Sequence, residues 1–199
     1  MKIAYFDCIG GASGDMILGA FVDAGLAVDR LSRRLDGLHL DDFHLTAEKV
    51  IKNGFSATQV HVHVHDHAHH RHLSAIEQII TKSDLPAAIQ EQAIAIFRRL
   101  GEAEARIHNA SIDHVHLHEV GGVDTIVDVV GTLVGLEELE IEQVVCSPLP
   151  LGRGFIHGAH GQIPLPAPAT IALLAGIPVT GSPVEAETVT PTGAVLLAT

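Results

Sequence analysis

The amino-acid sequence predicts an α/β or α+β fold, in which helices pack on a mixed sheet and a histidine-rich segment forms a mobile loop. Stretches with the two-residue alternation of strands are interspersed with stretches of helical periodicity, which is the pattern of mixed folds. Hydrophobic residues make up 47% of the 199 residues and aromatic residues only 4%, so small aliphatic side chains build the core. Together with 19 glycines, this composition favours helices that lie close against a sheet.

The predicted elements follow from local patterns along the chain. Alternating side chains predict strands at residues 2–6, 43–51, 56–64 and 144–149. Apolar residues at helical spacing predict helices at residues 15–24, 28–35, 73–81, 86–108, 123–139 and near 169–175. Asn53-Gly54 is a strong hairpin signal, and Pro86 suits the first turn of the long helix. The remaining region after residue 149 is rich in Pro and Gly, apart from a capped helix start at ETVTPTG (187–193), and predicts irregular structure.

The charge and the cysteine content exclude several classes of protein. A formal net charge of −12 argues against nucleic-acid binding, because no basic stripe is present to neutralise phosphates. The longest apolar stretch, residues 125–136, is shorter than the ~20 residues that span a membrane, and the first residues do not resemble a signal peptide. Cys8 and Cys146 have neither metal-binding nor disulfide spacing. We therefore expect a cytoplasmic protein without a membrane or nucleic-acid partner.

Seven of the 15 histidines lie in HVHVHDHAHHRH, residues 61–72. Side chains alternate faces along a strand, so His61, His63 and His65 are predicted to point to one face while the intervening valines point to the core. Three imidazoles on one face suit a borderline metal such as Ni²⁺, Zn²⁺ or Co²⁺. The alternative is a solvated loop that binds metals weakly, as many histidine-rich tracts do.

A second cluster, HVHLHE (residues 114–119), supplies His116, His118 and Glu119 and leads into a helix that carries two carboxylates. Asp124 and Asp128 stand four residues apart and share one helical face. Their neighbours are apolar, and a buried carboxylate without a partner is costly, so these acids are expected to face a cation, a donor or a metal. The alternative is that Glu119 and Asp124 are only helix caps.

Two further segments are candidates for holding an anionic ligand. DCIGGASGD (residues 7–15) is a Gly-rich turn between a strand and a helix, and it contributes Gly11, Ser13 and Asp15. Arg153 lies between two glycines and is the best candidate in the chain for binding an anionic group. The first segment is equally well explained as a capped tight turn, and for the second the pattern favours a Pro-rich surface turn over an anion site.

Five separated blocks together resemble one known family, the LarC nickel-insertion proteins of the lactate racemase cofactor pathway. The blocks are MKIAYFDCIGGASGDMILGAFVDAG, the histidine-rich tract, HLHEVGGVDTIVDVVG, VVCSPLPLGRGFIHGAHGQIPLPAPAT and ETVTPTGA. Members of this family continue into a C-terminal domain that holds the CTP site. The resemblance therefore implies that residues 1–199 form a single N-terminal domain of a longer protein.

The resemblance implies a CTP-dependent cyclometallase, a lyase-type enzyme that inserts nickel into pyridinium-3,5-bisthiocarboxylic acid mononucleotide. Nickel is then a substrate, CTP with Mg²⁺ or Mn²⁺ is needed only in the full-length protein, and this portion alone is expected to be inactive. His61, His63 and His65 would capture nickel, whereas His116, His118 and Glu119 would form a second metal position or supply the base. Asp124 and Asp128 are the other candidate catalytic residues. Arg153 and the Gly-rich turn would hold the anionic substrate.

Two rival functions and one assembly question stay open at the level of sequence. The first rival is a non-catalytic module that binds or stores nickel or zinc. The second is a metal-dependent hydrolase with a barrel fold. It ranks last because such a barrel needs about 250 residues, which is more than this chain has. The sequence decides neither whether the two histidine clusters meet in one site nor whether the chain forms a homo-oligomer.

Overall fold

The computed structural model of the chain describes residues 1–40, 43–64, 71–117, 120–158 and 161–199. Its helices are α1 (Gly14–Asp23), α2 (Val28–Leu35), α3 (Leu73–Thr81), α4 (Ala87–Ile107), α5 (Val123–Glu138), α6 (Pro168–Leu173) and α7 (Pro191–Ala198). Its strands are β1 (Ile3–Phe6), β2 (Phe43–Lys52), β3 (Phe55–Val64), β4 (Arg71–His72), β5 (His116–Leu117), β6 (Gln143–Cys146), β7 (Leu149–Leu151), β8 (Gly154–Gly158), β9 (Gly161–Leu165) and β10 (Val179–Gly181).

The strands pair in twos within the described residues. The pairs β1–β6 and β7–β10 are parallel, whereas β2–β3, β4–β5 and β8–β9 are antiparallel. Helices thus pack on both parallel and antiparallel strands, which confirms the predicted mixed α/β class. The difference from the prediction is that short separate ribbons replace a single continuous sheet.

Helix α5 lies at the centre of the core and is buried along most of its length. Glycines on this helix allow α1 to approach closely, since a Cβ at Gly135 would lie 2.5 Å from the ring of Phe21 and one at Gly131 would lie 3.0 Å from Leu18. Leu18 and Ile126 are fully buried in this contact. Each such side chain contributes about 1.5–3 kcal/mol to folding by leaving water.

The β2–β3 hairpin forms where the sequence predicts it. Its turn residues Asn53 and Gly54 have φ values of 51° and 86°, which is the pairing of positive φ angles that a type I′ turn requires. Strand β3 lies against α1, where a Cβ on Gly19 would meet the carbonyl oxygen of Thr58 at 2.5 Å. The hairpin is therefore held in place by a close backbone approach to α1.

Strands β4 and β5 pair with each other and bring together the ends of the two histidine-rich segments. Arg71 pairs with Leu117 and His72 pairs with His116, so the end of the first cluster lies beside the second. The two segments therefore lie side by side at this point of the backbone.

The single strand predicted at residues 144–149 is wrong. The structure divides this region into β6 and β7, with Ser147 and Pro148 between them, and the two strands pair with different partners. The prediction of irregular structure after residue 149 is also wrong, because β8, β9 and β10 form there. In the described ranges, no helix is long and apolar enough to cross a bilayer.

Candidate functional site

A cavity of about 390 Å³ lies where helices α1, α5 and α7 begin. Side chains from these three helix starts form its polar wall, namely Ser13, Asp15, Asp124, Thr125, Asp128, Thr190 and Thr192. Strand β3 contributes Val60, His61 and Val62, and the β8–β9 hairpin contributes Ile156 and Ile163. Because the N-terminus of a helix carries partial positive charge, the three helix starts favour negative charge at this end of the cavity.

Two carboxylates of the cavity are stabilised by the helix starts that carry them. Asp15 lies in the first turn of α1 and accepts a hydrogen bond from the hydroxyl of Ser13. Asp124 lies in the first turn of α5, where its Oδ1 accepts a hydrogen bond of 2.8 Å from the backbone N–H of Thr125. Each of these charges also gains from the dipole of its own helix.

Asp128 lies one turn deeper on α5 and differs from the other two acids. Its Oδ1 is buried and has no hydrogen-bond partner among the residues that the structure describes. Burial, followed by the negative charges of Asp15 and Asp124, raises the pKa of Asp128 to about 8. The carboxyl group is therefore mostly protonated at neutral pH while the cavity is empty of cations.

The Gly-rich turn before α1 is shaped by close contacts. A Cβ on Gly14 would lie 2.2 Å from Oδ2 of Asp128, so only glycine lets α1 start beside this carboxyl group. Gly11 has a φ of 105°, and a Cβ there would lie 1.8 Å from the carbonyl oxygen of Thr188. Ala12 continues this contact, since its N–H donates to the same oxygen at 2.8 Å. The turn thus holds residues 187–192 against the cavity.

The two described histidines of β3 lie on one face of the hairpin, beside the cavity. His61 lines the cavity, with its Nε2 3.2 Å from Oε1 of Glu48. The Nε2 of His63 lies 2.8 Å from the hydroxyl of Thr46, and its ring stacks on that of His44 at a centroid distance of 4.5 Å. The ring centroids of His61 and His63 are 5.9 Å apart.

The structure therefore brings only some of the predicted metal-binding and catalytic residues to the cavity. His61, Asp124 and Asp128 line one cavity, together with the predicted ligand-binding residues Ser13 and Asp15. His65, His118 and Glu119 lie outside the described residues, as does the side chain of His116. Across the described ranges, no three His, Cys, Asp or Glu side chains form a group that could hold a metal ion.

Arg153 and Gly11 are not brought to the cavity. The side chain of Arg153 is exposed, and its guanidinium lies 3.3 Å from Oε1 of Glu185. Gly11 is buried against Thr188 and supports the turn from behind. The lining formed by described residues contains neither Lys nor Arg, so its possible sources of positive charge are His61 and the helix N-termini.

The sequence analysis misses several residues that line the cavity. They are Val60, Val120, Ile156, Ile163, Ala167, Glu187 and Pro191. Thr190 is predicted only as a helix cap, and its hydroxyl oxygen does accept a hydrogen bond of 3.1 Å from the N–H of Gly193. The helix-start pattern ETVTPTG was the available signal for this part of the lining.

The fold and the cavity define the class of this protein, which is an α/β domain with an acidic cavity at helix N-termini. The chain also matches the family model described as "Nickel insertion protein" over residues 4–199. The chain therefore belongs to the nickel insertion protein family.

Named relatives agree with this assignment. The chain is 52% identical over 197 residues to the pyridinium-3,5-bisthiocarboxylic acid mononucleotide nickel insertion protein of Desulfitobacterium hafniense (strain DSM 10664 / DCB-2), covering 99% of this chain and 49% of the relative. It is 49% identical over 200 residues to a putative nickel insertion protein of Thermomicrobium roseum, covering 99% of this chain and 49% of the relative. The chain spans about half the length of the curated relatives it matches. No solved structure matches it.

Proposed function

We propose that this chain is the nickel-inserting part of a longer protein, a cyclometallase that inserts Ni²⁺ into pyridinium-3,5-bisthiocarboxylic acid mononucleotide. Membership of the nickel insertion family and the name of the Desulfitobacterium hafniense relative support this function. The single observation that carries it is the buried carboxyl group of Asp128, which lines a cavity shared with three further acids and His61. Nickel is a substrate of this reaction.

The chemistry requires an acceptor for one proton. When nickel bonds to a ring carbon, the electron pair of the C–H bond passes to the carbon–nickel bond and the proton leaves. A carboxylate placed in the cavity accepts this proton and becomes a carboxylic acid, so charge and atoms balance. Asp128 suits this role because its carboxyl group has no competing hydrogen-bond donor at Oδ1 among the described residues.

The raised pKa of Asp128 couples this base to the arrival of the metal. Burial and the nearby acids raise the pKa of Asp128 to about 8, so the empty site carries a proton there at neutral pH. A divalent cation that enters the cavity stabilises the ionised form and lowers this pKa. Nickel entry therefore discharges the proton to solvent and produces the base at the moment when it is needed.

The remaining residues of the cavity divide between the cation and the anionic substrate. His61 is a ligand for Ni²⁺ during delivery, since imidazole binds this metal and exchanges readily. Asp15 and Asp124 balance the charge of the metal and of the pyridinium ring. The partial positive charge at the starts of α1, α5 and α7 would attract the negatively charged groups of the substrate.

The second half of the protein completes the proposed reaction. The chain spans about half of its curated relatives, and the family resemblance supports a site for CTP with Mg²⁺ or Mn²⁺ in the other half. On this basis the 199-residue chain binds nickel but does not complete the insertion. The resemblance also supports a lyase-type reaction in the cytoplasm that supplies lactate racemase with its nickel cofactor.

The test is to replace Asp128 by Asn in the full-length protein and to measure formation of the nickel-containing product by mass spectrometry. We expect the rate to fall by about 100-fold or more, which is the usual contribution of general acid–base catalysis. The control is Glu137→Gln, which removes a carboxylate from the same helix outside the cavity and should keep the wild-type rate. Product formation at the wild-type rate by Asp128→Asn would exclude Asp128 as the base, whereas nickel binding by the wild-type full-length protein without any product would favour a nickel-binding or storage module.

A further inference from the structure

The parallel ribbon of β1 and β6 ends at open edges within the described residues. The carbonyl oxygens of Lys2 and Phe6 accept hydrogen bonds from Glu142 and Ser147 on the β6 side. Backbone groups of alternate residues point to opposite sides of a strand, so Ile3 and Tyr5 direct their N–H and C=O groups to the edge away from β6. This edge of β1 can accept another strand.

The two faces of the ribbon are covered unequally. On the inner face, the ring of Phe6 packs edge-to-face on that of Phe21 in α1, with centroids 6.0 Å apart. On the outer face, Ile3, Tyr5 and Val145 are 48%, 63% and 40% exposed. Parallel strands are normally covered on both faces, because the crossover connections place helices there. An apolar outer face on a parallel ribbon therefore indicates that a covering element is absent.

A groove beside β1 is shaped to hold the side chains of an added strand. The groove has a volume of about 360 Å³ and runs along residues 2–6. Its floor consists of apolar side chains of α1 and of the segment after α5, namely Ala20, Phe21, Ala24, Leu139 and Ile141. Lys2 lies at the rim of this groove, where its ammonium group donates a hydrogen bond of 2.7 Å to the carbonyl oxygen of Leu139. A strand that pairs with β1 would bury its inward side chains on this floor.

We propose that a strand from the second half of the longer family members pairs with β1 and extends this sheet. The curated relatives are about twice as long as this chain, so their second half is long enough to supply both a strand and a helix to cover the outer face. A parallel strand needs a crossover of about a dozen residues or more, which a covalently connected segment provides. Tethering also raises the effective concentration of the segment to the millimolar range.

A second copy of the chain fits these observations less well. A twofold dimer through β1 pairs one edge of each copy with the other and leaves the apolar outer faces exposed. Only a segment that brings a strand and a covering element accounts for the open edge, the groove and the exposed face together.

Hydrogen exchange tests this proposal. The 199-residue chain is compared with a chimera in which the second half of the Desulfitobacterium hafniense relative follows it, and exchange is measured in peptides that span β1. We expect the amides of Ile3 and Tyr5 to exchange rapidly in the chain alone and about 100-fold more slowly in the chimera. Equal rates in both proteins would overturn the proposal, as would a chain that is already dimeric in sedimentation analysis with these amides protected.

Two pairs of substitutions make the test specific to this edge. Ile3→Lys together with Tyr5→Lys places charges on the outer face of β1 and should abolish the added protection in the chimera. Ile51→Lys together with Phe55→Lys changes two residues that are 77% and 79% exposed at the tip of the β2–β3 hairpin, and should leave the protection unchanged. Loss of protection with both pairs, or with neither, would contradict the assignment to β1.

Discussion

Replacing Asp128 by Asn separates the cost of its buried charge from the packing of its side chain. The folded chain raises the pKa of this group from 3.8 to about 8, so between these pH values the folded state holds a proton that the unfolded state has released. This bound proton stabilises the folded state relative to the unfolded state. The stabilisation is fully present below pH 4 and is lost as the pH rises through about 8, at up to ~1.4 kcal/mol per pH unit. Between pH 5 and pH 9, the free energy of unfolding of the wild type therefore falls by about 3–4 kcal/mol because of this group. The Asn variant does not show this loss.

Urea unfolding of the 199-residue chain at pH 5, 7 and 9 measures this difference. We expect the free energy of unfolding of Asp128→Asn, relative to the wild type, to rise by about 3–4 kcal/mol from pH 5 to pH 9. Glu137→Gln, whose carboxylate pairs with Arg34 outside the cavity, should follow the pH dependence of the wild type. Parallel curves for the wild type and Asp128→Asn would show that this carboxyl group ionises normally in the folded chain and would refute the argument from burial.

Two further substitutions test the packing and the metal affinity of the cavity. Gly14→Ala places a methyl group 2.2 Å from a carboxyl oxygen of α5, so we expect a loss of about 2–3 kcal/mol in urea unfolding. Gly10→Ala is the control, because its added Cβ meets no atom within 4 Å and should change stability by less than about 0.5 kcal/mol. His61→Ala should weaken nickel binding in calorimetry by about 10-fold, as removal of one ligand costs about 1.4 kcal/mol. His39→Ala removes an exposed imidazole that pairs with an acid elsewhere, and an equal loss of affinity there would contradict a role for His61.

The elements that the sequence predicts well are those whose local pattern has one interpretation. Helices α2 and α3 begin and end at the predicted residues, because their apolar spacing is unambiguous. The region after residue 143 is harder, because its strands owe their existence to partners elsewhere in the chain. Strand β6 forms by pairing with β1 and ends before Pro148, while Gly and Pro inside β8 and β9 hide their alternation.

The composition of the cavity depends on contacts that sequence order does not reveal. The sequence analysis does identify Asp124 and Asp128 as acids that require a partner, because their neighbours on α5 are apolar. It cannot show that the start of α7 lies beside them, since that contact is made by Gly11 against Thr188, far apart in the chain. Arg153 is the opposite case, because a cation between two glycines suits an anion site in sequence but pairs with a surface acid in the structure.

The charges of the cavity constrain what it can hold. Four acidic side chains and His61 line the cavity, and the acids disfavour an isolated anion in a lining whose described residues include no Lys or Arg. The starts of α1, α5 and α7 nevertheless offer N–H donors and partial positive charge along the same wall. Asp15 and Asp124 already accept hydrogen bonds at two of these helix starts, whereas Oδ1 of Asp128 has no partner among the described residues. On the proposed function, a cation that enters with an anionic sulfur or phosphate ligand would meet this unpaired carboxyl oxygen and the helix N-termini together, which is the charge arrangement that the proposed insertion requires.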